Sequence, residues 1–399
     1  MLPDYGKYGS IELQMIPRAI SKFTADNASW FPVVSVTGPR QSGKSTLVQN
    51  LFGDYDYENL ELPGVRQIAR QDPVGFISER PHKLIVDEAQ LAPDLFSVIQ
   101  VESDRSGESG QYVLSGSQNF LMRKQITQSL AGRVGMVKLL PLSYEELVGS
   151  GRALSADEFA LRGGYPRLYA SDIPTGIFFR NYVETYIERD VTGLIDAGNL
   201  QTFKTFLTLC AQSVGSLLNV TRLAADAGVS TKTARSWLSI LEASYIVFRL
   251  APYQANLRKQ LTKTPKLYFF DTGLLCHLLG VSGDVQLRDS QYRGAVFENM
   301  VIVEAYKRRN NAGCEPQLRF YRDDSKIEVD LVDLTDPRSP ELVEAKSSRT
   351  YNSSFTRHLS AVGKLLGIPP ESQHVVMRAD AKRAVSGVSV WPAEEWLCR

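Results

Sequence analysis

The segment GPRQSGKS, Gly38 to Ser45, has the spacing GxxxxGK[ST] and stands between the apolar run Val33–Thr37 and the stretch Thr46 to Leu51. Between a strand and a helix N-terminus, such a loop turns its backbone N–H groups inward, where they and the helix dipole attract phosphate oxygens. Gly38, Pro39, Arg40, Gln41, Ser42, Gly43, Lys44, Ser45 and Thr46 are therefore expected to line a nucleotide. The Lys44 ammonium would reach the β- and γ-phosphates of ATP, and the Ser45 hydroxyl would ligate Mg²⁺. A second signal follows in KLIVDEAQ, where an apolar run ends in Asp87 and Glu88. Two adjacent carboxylates at a buried strand end are costly unless they have a task. Asp87 is expected to hold the Mg²⁺ shell, and Glu88 to orient and deprotonate the attacking water. In YVLSGSQ another apolar run ends in small polar residues, and Ser117 is expected to sense the γ-phosphate, with Ser115 and Gln118 beside it.

A separate constellation lies nearer the C-terminus: Glu298, Asp330 in EVDLV, and Glu344 and Lys346 in VEAK. Alternation along VEAK puts Glu344 and Lys346 on one face of a strand. Asp330 and Glu344 would then share one divalent ion, Mg²⁺ or Mn²⁺. Glu298 would add a third carboxylate, and Lys346 would position water or help deprotonate it. An ExK stretch alone also describes an ordinary strand with alternating surface charge. The matching Asp330 and Glu298, and the order of elements around them, favour a site.

Five β-rich runs must position the first constellation: Val33–Thr37, Tyr55–Leu60, Leu84–Val86, Tyr112–Ser115 and Met136–Leu140. They alternate with helical stretches, which implies a mostly parallel sheet with helices on both faces. Leu142 to Val191 then reads as helical, interrupted by the turn GGYP at Gly163–Pro166, where glycine permits unusual backbone angles and proline stops a helix. Gln201 to Tyr253 carries three helical stretches and a β-like run, Tyr245 to Leu250. Thr221 is expected to cap one helix, GVS at Gly228–Ser230 to make a tight turn, and Thr231 to Ala243 to form the next helix. That helix would bury Ala234, Trp237, Leu238 and Leu241 and expose Lys232, Thr233 and Arg235. The arrangement resembles a winged helix-turn-helix. Its wing, around Tyr253 to Lys266, would carry Arg258, Lys259, Lys263 and Lys266 with no acid among them. Such a stripe suits phosphate contacts that ignore sequence and weaken with salt. The competing reading is a module that packs protein against protein, its basic residues merely solvated. From Gln291 a helix to about Asn310 leads into runs at Leu318–Tyr321, Ile327–Val332 and Leu342–Ala345. A helix from about Phe355 to Leu366 and a strand at His374–Met377 follow, an α-β-β-β-α-β order.

A chain of 399 residues suggests two to four domains. Its 43% hydrophobic and 22% charged content is that of a soluble globular protein, and a net charge of +1 excludes a chain that is basic overall. Any nucleic-acid surface must therefore be a local patch. Cys210, Cys276, Cys314 and Cys398 are scattered, with no CxxC pair, and read as reduced, mostly packed thiols rather than a zinc site. Met1 to Gln14 mixes charges with apolar residues unlike a signal peptide, and the longest apolar stretch, Leu267 to Val281, contains Asp271 and His277. The chain is expected to be cytoplasmic, with no membrane span.

The order of P-loop, DE strand and polar-tipped strand resembles the AAA+ ATPases, in particular the bacterial and archaeal subgroup with GPRQ-type loops and DEAQ-type second motifs (the AAA_14 and DUF4143 families). In that family AGRV places Arg133 as an arginine finger acting on a neighbour's nucleotide, which implies a homo-oligomer such as a hexameric ring. GGYP and YIERDV, Tyr186–Val191, are recurrent signatures of its helical lid. The D…ExK pattern resembles the PD-(D/E)xK nuclease fold, and with RGAVFENMV at Arg293–Val301 it is similar to the C-terminal domain of the same subgroup. The expected fold is α/β. Residues 1–142 would form an AAA+ P-loop core, 143–198 a helical lid, 199–285 a winged-helix domain and 286–399 a restriction-endonuclease-like αβββαβ domain. Two functions follow. One is an ATPase acting on nucleic acid, DNA ahead of RNA, with a metal-dependent nuclease-like domain. The other is a nucleotide-controlled switch or scaffold whose C-terminal domain binds without cutting.

Overall fold

The computed structural model describes residues 15–399 apart from 81–82, 118–121, 123–124, 127, 187–194, 196, 254–263 and 326. Strands β1 (Val33–Thr37), β2 (Asp56–Asn59), β3 (Leu84–Asp87), β4 (Tyr112–Gly116) and β5 (Val134–Lys138) form an all-parallel sheet in the order β2-β3-β4-β1-β5. Every residue of β1, β3 and β4 is buried, as expected for parallel strands covered on both faces. Their side chains alternate between two cores. Val33, Leu84, Val86 and Leu114 pack on one side, and Val34, Val36, Ile85 and Val113 on the other. The register sets Thr37 beside Gly116 and Asp87 beside both Ser115 and Asn59. The carboxyl ends of β1, β3 and β4 therefore open into one crevice, where ligands of such sheets bind.

After β5, the helices Tyr144–Gly149 and Ala156–Arg162 each open with a capping box, Ser143 with Glu146 and Ser155 with Glu158. The GGYP turn is demanded by close approach. A Cβ on Gly163, whose φ is 74°, would lie 2.3 Å from Asp271 Oδ1, and one on Gly164 would lie 2.2 Å from Leu142 O. The buried Asp271 accepts from Gly164 N at 2.7 Å and Leu274 N at 2.8 Å, so this turn is fastened to the segment that follows the strand Lys266–Phe269. The helix Thr175–Tyr186 precedes the helices Leu200–Gln212, Val220–Asp226 and Thr231–Ala243. Asn219, not Thr221, caps the middle one, because that helix starts at Val220 and already contains Thr221. Ala234, Trp237, Leu238 and Leu241 are buried, with Trp237 edge-on to Phe203 and Phe206.

The second sheet runs β12-β13-β11-β10-β9-β8-β6-β7. Its strands are β6 (Val247–Pro252), β7 (Lys266–Phe269), β8 (Leu318–Arg322), β9 (Glu328–Asp333), β10 (Glu341–Lys346), β11 (Gln373–Met377), β12 (Arg383–Val385) and β13 (Val388–Pro392). The helix Arg293–Asn311, β8 to β10, the helix Phe355–Leu366 and β11 supply the α-β-β-β-α-β order. The chain then adds β12, β13 and the helix Ala393–Leu397. β6 pairs with β8 at Ala251↔Arg319 and Pro252↔Phe320, so the β6–β7 hairpin extends the C-terminal sheet across the position read as a boundary at 285/286. The helix Arg293–Asn311 also docks on the first sheet. Asn310 Nδ2 donates to Lys138 O at 2.9 Å, Lys138 Nζ to Tyr306 Oη at 2.6 Å, and Lys307 Nζ to Leu142 O at 3.0 Å. No described helix is long and apolar enough to cross a membrane. Cys210 and Cys276 are buried, whereas Cys314 and Cys398 are exposed thiols rather than packed ones.

Candidate functional site

Close approach and chain reversal dictate the sequence of the P-loop. A Cβ on Gly38 would fall 2.0 Å from Leu139 O, and Gln41 and Gly43 take φ of 60° and 93°. Gly43 is the N-cap of the helix Lys44–Leu51 and offers no side-chain acceptor, so the helix's first N–H groups face the loop's concavity. Lys44 is only 6% exposed, and its ammonium donates to Pro39 O at 2.9 Å and Gly38 O at 3.1 Å. The fully buried Ser42 Oγ has no hydrogen-bond partner among the described residues. Arg18, which the sequence reading missed, clamps the loop. Its Nη1 donates to Ser42 O at 2.8 Å, Nη2 to Leu140 O at 2.7 Å, and Nε to Glu146 at 3.0 Å.

Asp87 is fixed from four directions. Ser45 Oγ and Tyr57 Oη donate to Oδ2 at 2.6 and 2.7 Å, while Ser115 Oγ and Glu88 N donate to Oδ1. Burial, then the bond to Asp87 and its charge, raise the Tyr57 phenol far above its ordinary range, so it stays a donor. Tyr57 was also missed, because nothing local in Asp56–Asn59 marks it. Glu88 has φ 54° and ψ 43°, a left-handed backbone that costs about 1–3 kcal/mol at a non-glycine residue and collects at functional sites. Its carboxylate accepts from Ser117 Oγ at 2.9 and 3.1 Å and from Gln90 Nε2 at 2.5 Å. Lys44, Ser45, Asp87, Glu88 and Ser117 face one cavity of about 400 Å³, which Tyr182, Thr185 and Tyr186 of the helix Thr175–Tyr186 also line. Hard oxygen donors at Ser45 and Asp87 suit Mg²⁺. Gln118 and the residues 187–191 of YIERDV lie outside the described residues.

Arg133 sits at the opposite end of the sheet, just before the Val33↔Val134 pairing. A five-residue strand, roughly 16 Å, separates that end from the P-loop. Its guanidinium grips Asp104 at 2.5 and 2.9 Å and does not reach this chain's own nucleotide cavity.

In the second sheet Asp330 and Glu344 stand on the antiparallel neighbours β9 and β10, one step beyond the pair Val343↔Leu331. Asp330 Oδ2 accepts Ala345 N at 2.9 Å, and Lys346 Nζ stands 2.6 Å from Glu344 Oε1 and 3.9 Å from Asp330 Oδ2. Glu344 is 6% exposed, and its buried Oε2 has no partner among the described residues. Burial, then the charge of Asp330, push its carboxyl well above the usual range, against the opposing pull of Lys346. Glu298 is close by, with one of its two carboxylate oxygens engaged. Its Oε1 accepts Lys266 Nζ at 3.0 Å and Tyr268 Oη at 2.5 Å. Among the described residues no group of three or more His, Cys, Asp or Glu is arranged to hold a metal. Lys266 departs from expectation too. It is 2% exposed and bonded to Glu298 and Glu328, so it is no part of a solvent-facing basic stripe. Burial favours its neutral form, but the carboxylates of Glu298, Asp330 and Glu328 outweigh that and raise its pKa. Arg258, Lys259 and Lys263 lie outside the described residues, while Lys232 and Arg235 are exposed as expected.

Family models match this chain in three pieces: an AAA domain over residues 31–148, a domain of unknown function (DUF8612) over 154–285, and a domain of unknown function (DUF4143) over 293–396. The chain belongs to the AAA-type P-loop ATPases that carry a DUF4143 domain. An uncharacterized protein of Mycobacterium tuberculosis is 34% identical over 281 residues, a match spanning 68% of this chain and 62% of that relative's length. An uncharacterized protein of Methanocaldococcus jannaschii is 22% identical over 363 residues, 81% of this chain and 74% of its own. Among solved structures, a Walker-type ATPase of Pyrococcus abyssi superposes with a TM-score of 0.44 at 13% identity, over 66% of this chain and 96% of its own. Cdc6p from Pyrobaculum aerophilum gives 0.27 at 15%, over 67% and 91%. Neither superposition is close enough to argue from.

Proposed function

We propose that this chain hydrolyses ATP and acts on nucleic acid, DNA ahead of RNA, as a homo-oligomer. In this reading residues 1–142 are the ATPase core, 143–198 a lid and 199–285 a winged-helix module, with 286–399 a nuclease-like domain. The observation that carries the ATPase reading is the convergence of Lys44, Ser45, Asp87 and Glu88 on one cavity. Lys44 exchanges its carbonyl partners at Gly38 and Pro39 for phosphate oxygens of ATP. Ser45 and Asp87 hold Mg²⁺, which when bound neutralises charge on those oxygens. Glu88, steered by Ser117 and Gln90, takes the proton of the attacking water. Arg133 serves a neighbouring subunit.

In the C-terminal domain Asp330 and Glu344 would hold Mg²⁺ or Mn²⁺, which would supply Lewis-acid chemistry toward a phosphodiester, and Lys346 would position water. One observation favours a second reading, a switch that binds without cutting: Lys266 and Tyr268 already occupy an oxygen of Glu298. ATP turnover with and without DNA or RNA, at two salt concentrations, tests the first reading, together with cleavage in Mg²⁺ or Mn²⁺ by the wild type and Asp330→Ala. Salt-sensitive stimulation and metal-dependent cleavage lost in Asp330→Ala support it. Nucleotide-dependent association with no nucleic-acid affinity favours the switch.

A further inference from the structure

We propose that the Tyr245 hydroxyl is a positioning group for the nucleotide loop: it ties the end of the helix Thr231–Ala243 to Thr37, the residue before Gly38, and so brings the middle of the chain into ATP turnover. This rests on reading the cavity at Lys44 as an ATPase site.

Tyr245 N donates to Glu242 O at 3.1 Å and Ile246 N to Leu241 O at 3.0 Å, the paired bonds that close a helix through a left-handed residue. Glycine is the usual residue there, because it alone takes positive φ without a steric cost. This helix ends instead on Tyr245, at φ 57° and 4% exposed. A bulky residue in that region is an outlier, and such strain persists only where the surroundings fix it.

The other end of the side chain shows what the strain secures. Tyr245 Oη lies 2.8 Å from Thr37 Oγ1, a buried bond between residues 208 positions apart. The ring packs edge-on to Phe270 at 6.2 Å, a contact that phenylalanine would make as well. Only the hydroxyl calls for tyrosine. Thr37 is the last residue of β1, paired with Gly116 and Lys138 and 2% exposed. The next carbonyl, Gly38 O, is one of the two that hold Lys44 Nζ. Besides Tyr245, the Thr37 hydroxyl reaches only Val137 O among the described residues, at 3.4 Å, longer than a good hydrogen bond. Neither Thr37 nor Tyr245 lines the nucleotide cavity. The bond therefore restrains the start of the loop from outside that cavity.

The test is steady-state ATP hydrolysis by the full chain, with urea unfolding alongside. Tyr245→Phe keeps the ring and should lower kcat about three- to tenfold, the worth of one hydrogen bond. Thr37→Val should lose as much, and Thr37→Ser should recover most of it. The double variant should be no slower than either single one, because both remove the same bond. A kcat within about twofold of wild type in Tyr245→Phe, with only the urea midpoint lowered, would make the bond a packing contact and overturn the proposal. Additive losses in the double variant would overturn it too. If Tyr245→Phe fails to fold, Thr37→Val and Thr37→Ser decide the matter. Turnover that Lys44→Ala abolishes keeps the two readings apart. Its absence in the wild type removes the ATPase reading and this inference with it, whereas its presence beside an unaffected Tyr245→Phe removes this inference alone.

Discussion

Replacing Lys307 by methionine keeps most of the side chain's volume and removes one charge from the joint between the two sheets. Lys307 and Glu304 are 1% and 2% exposed. The ammonium donates to Glu304 Oε1 at 2.7 Å and Leu142 O at 3.0 Å, and Glu304 Oε2 accepts Tyr144 N at 2.8 Å. Removing one partner of a buried ion pair costs about 3–5 kcal/mol, because the other charge is left uncompensated. Burial raises the Glu304 carboxyl while Lys307 opposes it, so in Lys307→Met the carboxyl rises further. A carboxylate whose folded pKa exceeds its unfolded value loses stability as pH rises through that interval. Urea unfolding should therefore show the variant weaker at pH 8 than at pH 5. Glu304→Gln with Lys307→Met should recover at least half the loss, since Gln still accepts from Tyr144 N and carries no charge. A cost below about 1 kcal/mol at pH 8, or a double variant no better than the single one, refutes the view of this pair as a sealed joint.

Arg133→Ala should leave nucleotide binding nearly intact and slow turnover about a thousandfold or more if it acts as a finger. Mixing Arg133→Ala and Glu88→Gln subunits should then restore part of the activity, and no rescue in stable mixed oligomers would rule out action in trans. Tyr57→Phe removes one donor to the Asp87 carboxylate, a bond of about 1.5–3 kcal/mol, and should cut ATP turnover roughly ten- to hundredfold. An unchanged rate would make Tyr57 a bystander. His374, lowered to about 3 by burial and then by Arg399, Lys382 and Arg308, is neutral in the fold. Below its unfolded pKa of about 6.5 the unfolded chain takes up the proton first, so stability falls as pH drops from there toward about 3. His374→Gln should flatten that slope in acid denaturation, and an unchanged slope would assign it elsewhere.

Much of the nucleotide site was legible because its signals are local. Gly38, Gly43 and Lys44 answer to a loop geometry, and Asp87 and Glu88 to a buried strand end. The apolar runs located all five strands of the first sheet to within two residues. What escaped depends on contacts across the chain. Arg18 and Tyr57 matter only because folding brings them to Ser42 and Asp87. Lys266 sat among basic residues in sequence, yet strand pairing turns it inward to Glu298 and Glu328. The short β12, β13 and the helix Ala393–Leu397 carry too few residues to show a period. Thr221 and Asn219 are equivalent caps by type, and only the true start of the helix at Val220 chooses between them.

The most direct measurement compares ATP binding and steady-state ATP hydrolysis in the wild type, Lys44→Ala and Glu88→Gln. In the proposed mechanism Lys44 supplies the fixed cation for the phosphates and Glu88 the base for water, so the two losses should separate. Lys44→Ala should weaken binding and abolish turnover. Glu88→Gln should keep binding within a few-fold while turnover falls about a hundred- to ten-thousandfold. Hydrolysis by Glu88→Gln at the wild-type rate would contradict the account.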